Sequence, residues 1–175
     1  MIRISISFTI VIVIAFFSFT ASCTKKEAAK IDTRITQEDI ENIIRHKKNI
    51  DNITGKFDDE LKKTKRENQM PVLEKGKAEI NKYLESHGLD PVTFMRRSKK
   101  ILKGYLAFQE TSEEAIERKM KLLENENLTE SEYQSKKEFH KKTAESLFKE
   151  LTSELSDYEI ELIRSNIKNL SAVMN

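Results

Sequence analysis

The chain has no tryptophan, a single cysteine, two prolines and four glycines in 175 residues, and each scarcity removes a class of chemistry. Cys23 alone cannot close an intrachain disulfide or form a CxxC knuckle, so neither a disulfide scaffold nor a thiolate zinc site is expected. The glycines, Gly55, Gly76, Gly88 and Gly104, are isolated from one another. None falls in the GxGxxG or GxxxxGKS/T spacing that lets a backbone loop wrap phosphate. A GxSxG nucleophile elbow is missing as well. His46, His87 and His140 stand far apart in the chain, without an HExxH pattern, and no metal is expected. Lack of tryptophan leaves no evident platform for stacking a sugar ring, and glycosidase chemistry further requires two carboxyls at a set separation in a cleft. Charge of one sign is also lacking: 31 basic against 29 acidic residues give a formal net charge of +2. That balance is too small to draw the chain strongly to nucleic acid.

What is present begins with the one long apolar run. Met1-Ile2-Arg3 is followed by an almost unbroken apolar stretch from Ile4 to Phe19 and then by Thr20-Ala21-Ser22-Cys23. A short positive start, an apolar middle and small residues before a cut site make up a secretory signal peptide. With Cys23 directly after Ala21-Ser22, this leader resembles the signal of bacterial lipoproteins, and the placing of Thr20 three residues before the cysteine is similar to the relaxed boxes of spirochaetal members. The resemblance covers the leader alone. It implies cleavage after residue 22, acylation of the Cys23 thiol (palmitate among the acyl groups) and a body held at a membrane of the cell envelope outside the cytoplasm. Thr24 offers no acidic retention signal, which favours an outer over an inner membrane. Two other readings of the same residues are an uncleaved anchor helix and a cleaved soluble product. The apolar run is a little short of the ~20 residues that a spanning helix needs.

Residues 23–35 then read as the lipidated cysteine and a polar tether, in which Lys25, Lys26 and Lys30 can approach anionic head groups. Residues 36–175 read as one helical domain. Ile40, Ile43, Ile44, Ile50, Ile53, Phe57 and Leu61 recur at helical spacing behind a Thr36 cap. Pro71 starts a second helix with Leu73, Ile80, Tyr83 and Leu84 inward, Gly76 marks a close approach, and Gly88 supplies a left-handed stop. Asp90-Pro91 caps a third, predicted to run long or kinked to about Glu124, although Thr111 with Glu114 offers a restart. Thr129 with Glu132 and Ser156 with Glu159 are further capping boxes, the latter opening a last helix that ends near Met174. No segment alternates as a strand does and no Asn-Gly or Asp-Gly hairpin turn occurs. Five or six amphipathic helices with short loops predict an all-α antiparallel helical bundle, with a coiled coil as the runner-up for parts of it.

The sharpest candidate site is cationic. Arg96, Lys99, Lys100 and Lys103 recur at three and four residues along the third helix, opposite Ile101, Tyr105 and Phe108, with Arg97 beside them. Such a stripe suits an anionic surface such as lipid head groups, an acidic envelope protein or a cell-wall polymer, and it equally suits a solvated helix face. His140 falls on an apolar face with Tyr133 and Ala144 and reads as a core residue. These features predict a lipid-anchored binding or structural protein rather than an enzyme, with no cofactor beyond the covalent lipid, no metal and no nucleic-acid partner. The alternatives are a chaperone-like client binder, which requires a contiguous exposed apolar patch, and an enzyme with a carboxylate-lined site, which requires convergent acids in a pocket.

Overall fold

The computed structural model describes residues 32–123 and 128–174, so Cys23 and the leader lie outside the described residues. The fold is all-α, 85% helical with seven α-helices and no strand among the described residues. The helices are α1 (Gln37–Lys63), α2 (Gln69–Ser86), α3 (Pro91–Thr111), α4 (Glu113–Lys121), α5 (Glu130–Thr152), α6 (Asp157–Ser165) and α7 (Ile167–Met174), with a 3-10 turn at Arg66–Asn68. None of them is long and apolar enough to cross a membrane.

Most helix ends follow from local chemistry. At the start of α1, Thr36 and Asp39 satisfy each other: the Thr36 N–H and hydroxyl donate to Asp39 Oδ2 (2.8 and 2.7 Å) and the Asp39 N–H donates back to Thr36 Oγ1 (3.3 Å). Gly55 does not interrupt this helix, since the cost of a mid-helix glycine, ~1 kcal/mol, is small beside the burial of Ile53 and Phe57 on either side. Helix α2 stops in a Schellman turn, with Leu89 N–H bonded to Leu84 O and Gly88 N–H to Glu85 O, both at 3.0 Å. The turn requires φ +73° at Gly88. A Gly88→Ala substitution there should lower stability by about 1 kcal/mol, because an L-residue must adopt the left-handed region. A urea titration of wild type and variant would measure it.

Two boundaries differ from the sequence expectation. The predicted single helix from Pro91 to about Glu124 is broken at Ser112, whose side chain accepts from the Ala115 N–H at 3.2 Å and caps α4. Ser112 is extended (φ −64°, ψ 157°), which orphans the first N–H groups of α4, and its side chain satisfies one of them. The last helix is likewise divided, at Asn166, whose amide donates back to Leu162 O (2.9 Å) and outward to Gln37 Oε1 (3.0 Å). The capping boxes at Thr129 and Ser156 are both formed as predicted.

By internal contact the described residues divide into two compact units, one built on Asn42–Arg96 and the other on Arg34–Glu41 with the described residues from Arg97 onward. In the first, Ile53, Phe57, Val72, Ile80 and Leu84 make the core, with Ile50, Leu61, Tyr83, Leu89 and Phe94 packed around it. Gly76 is where α2 meets α1: a Cβ there would lie 3.0 Å from the Phe57 ring, as the close approach predicts. In the second, Ile116, Met120 and Ala144 form a cluster with Leu123 and Tyr133. Ile35, Ile101, Ile163 and Leu170 are also buried at 1% exposure or less. Ile35, just before α1, is buried, and its N–H donates to Glu159 Oε1 at 2.8 Å.

Candidate functional site

The five cations proposed on α3 have different fates. Arg97 Nη1 donates to both oxygens of Asp39 (2.9 and 3.2 Å), the carboxylate that also completes the α1 cap. Lys100 Nζ lies 2.7 Å from Glu159 Oε1, with side chains only 13% and 5% exposed. Lys103 Nζ is 2.9 Å from Glu154 Oε1 in a more solvated pair. Arg96 and Lys99 have exposed side chains. Three of the five are therefore held by this chain's own carboxylates. The anions that meet these three come from residues 39, 154 and 159, which no local pattern connects to α3.

Glu159 is the centre of that arrangement. Its Oε1 accepts from Lys100 and from the Ile35 N–H (2.8 Å), and its Oε2 accepts from the Ser156 N–H (2.8 Å) and hydroxyl (3.0 Å). Burial alone would push this carboxyl up. The Lys100 hydrogen bond and the donors of Ser156 and Ile35 outweigh it and hold Glu159 below the ordinary carboxylate range. Glu154 is likewise lowered, through its hydrogen bond with Lys103 and that ammonium's charge. Sequence reading identified Glu159 as a capping-box residue; that one side chain also anchors Ile35 and neutralises Lys100 was not legible.

A shallow cavity of about 400 Å³ lies between α4 and α5. Ile116, Ala144 and Phe148 line it apolarly, and Glu113, Lys141 and Lys149 supply charge around it. Its acids and bases are mixed, with Glu113 and Glu145 beside Lys141 and Lys149. Large exposed apolar side chains among the described residues are Met70, Val92, Leu122, Phe139 and Tyr158, on four different helices and, for Leu122, the turn after α4.

The histidines are placed differently from their spacing in the chain. His46 is 6% exposed in the apolar stripe of α1. Its ring stands 5.0 Å from His87 and 5.7 Å from Tyr83, while His140 packs separately against Phe139 at 5.8 Å. The signal was available: His46 lies three residues after Ile43 and four before Ile50, on the inward face. Among the described residues no group of three His, Cys, Asp or Glu side chains converges as a metal-ligand set. No family model, curated protein or solved structure matches this chain.

Proposed function

We propose that the chain is a lipid-anchored protein of the bacterial cell envelope, carried outside the cytoplasm by its leader, and that its helical part acts by binding a partner or as a structural element. The observation that carries this reading is the leader itself, a basic start and an apolar run closed by Ala21-Ser22 and the chain's only cysteine. Burial of Ile35 and its bond to Glu159 support a defined stand-off. From Cys23 to Ile35 the backbone can reach at most about 40 Å, taking ~3.5 Å per residue. The helical part would then work close to the bilayer, with Arg96 and Lys99 among its exposed cations for an acidic envelope component.

Labelling expressing cells with a palmitate analogue should mark the wild-type chain, and mass spectrometry should find a mature N-terminus at acylated Cys23. Cys23→Ser should abolish the label and release the protein from the membrane fraction. An intact Met1 with an unmodified thiol would overturn the reading. Replacing Arg96 and Lys99 together with Gln should weaken sedimentation with anionic vesicles if those cations bind, without the loss of stability that changing Lys100 brings.

A further inference from the structure

We propose that His46, Tyr83 and His87 make the α1–α2 contact of the first unit a proton-operated latch, closed while His46 is neutral and released when it takes up a proton. The Asn49 amide donates to the Tyr83 hydroxyl at 2.8 Å, and that hydroxyl lies 2.9 Å from His46 Nδ1. An oxygen that accepts from Asn49 still has its own proton to give, and the ring nitrogen is the partner in reach. The latch assigns His46 Nδ1 as the acceptor, with the neutral ring's proton on Nε2.

A second proton would have to enter at Nδ1, the position the Tyr83 hydroxyl occupies as donor. Two donors would then face each other, and the hydroxyl proton would have to rotate out of the bond, leaving the Tyr83 oxygen to accept from both Asn49 and His46. The surroundings give the imidazolium nothing in return. Arg45 lies on the same helix, His87 follows α2 at 5.0 Å, Tyr83 on α2 is neutral, and Phe94 and Leu89 supply apolar surface to the Tyr83 side of the core. In the part of α3 that belongs to this unit the one charged residue type is arginine, at Arg96. His87 is itself oriented, its Nδ1 2.8 Å from the Tyr83 carbonyl at the end of α2, so it cannot swing aside without giving up that bond.

The geometry therefore opposes charge on His46, and burial, His87 and Arg45, in that order, hold its ionisation below the usual imidazole value of 6.5. A group depressed on folding adds stability that is complete above its unfolded value and declines as pH falls from there toward the folded one. The window thus opens near pH 6.5, above the range where Glu154 and Glu159 lose their charge. Asp58 on α1 works the other way. Burial raises its carboxyl, so its protonation favours the folded unit as pH falls. The latch does not depend on the lipid anchor.

The test uses the full chain in detergent micelles. Ring ¹⁵N spectra should show His46 as the Nε2–H tautomer, with a titration midpoint below 6.5. Amide exchange at Ile43–Ile50 and Ile80–Leu84, corrected for the intrinsic pH dependence, should rise about fivefold between pH 6.5 and 5.5, as one proton taken up only by the open form requires. His46→Asn, which keeps an acceptor for Tyr83, should remove that rise, and His140→Asn should keep it. Equal exchange in wild type and His46→Asn would overturn the proposal. So would a ring that charges at or above 6.5 with the Tyr83 bond intact, a reading that needs no variant to fold.

Discussion

Lys100→Met should destabilise the second unit by about 3 kcal/mol at neutral pH, the lower end of the range for removing one partner of a buried ion pair. The loss comes from Glu159 more than from the lysine. A carboxylate 5% exposed would keep its charge with only the Ile35 and Ser156 donors to balance it. Those donors keep the loss near the low end of that range. Adding Glu159→Gln to Lys100→Met removes the stranded charge, so the double variant should be more stable than Lys100→Met alone. A urea-denaturation cycle of the four proteins measures this; a cost under ~1 kcal/mol for Lys100→Met would mean the pair behaves as a solvated surface contact. The pH dependence has a definite sign. Glu159 is depressed on folding, so its contribution is present above the unfolded value of about 4.5 and is lost as pH falls through the folded one. Wild type should lose stability below pH 4.5 more steeply than the Lys100→Met variant.

The second large effect is expected at Ile163, which is fully buried and faces the bare backbone of Gly104. A Cβ on Gly104 would stand 2.5 Å from Ile163 Cδ1 and 3.0 Å from Leu155 Cδ1, so α3 is approached there as closely as its backbone allows. Ile163→Ala should cost about 2–5 kcal/mol through lost burial and the cavity left behind. Gly104→Ala should also destabilise, because the Ile163 side chain must move. Combined, the two should cost less than their sum, since the added methyl occupies space the isoleucine vacates. Thermal unfolding of the three variants would check the coupling. Strict additivity would show that the two residues do not share this contact.

The same two sites show how much was legible beforehand. The all-α class, the Gly88 stop, the Asp90 cap and the boxes at Thr129 and Ser156 were readable because they rest on interactions within a few residues, where sequence spacing and spatial distance nearly coincide. Asp90 carries the mark of its cap, its carboxyl held low by hydrogen bonds from Thr93. Gly76 was readable as a close approach, but Gly104 was not singled out, since its partner lies 59 positions away on a helix with its own independent stripe. The candidate site was half legible for the same reason. Helical spacing placed Lys100 and Lys103 on one side of α3, but Glu154 and Glu159 face them from elsewhere in the chain.

What the sequence determined by itself is everything set by local chemistry: where helices start and stop, which face of each is apolar, and the leader that ends at Cys23. Tertiary structure alone decided which charges are spent inside the molecule, that Ile35 belongs to the fold, and that His46 and His87 share one neighbourhood. A capping bond or an apolar stripe forms between residues a turn apart, so order along the chain specifies it. An ion pair or a ring contact between separate helices depends on how their stripes dock, and docking is governed by the summed fit of many side chains rather than by any spacing that can be read along one of them.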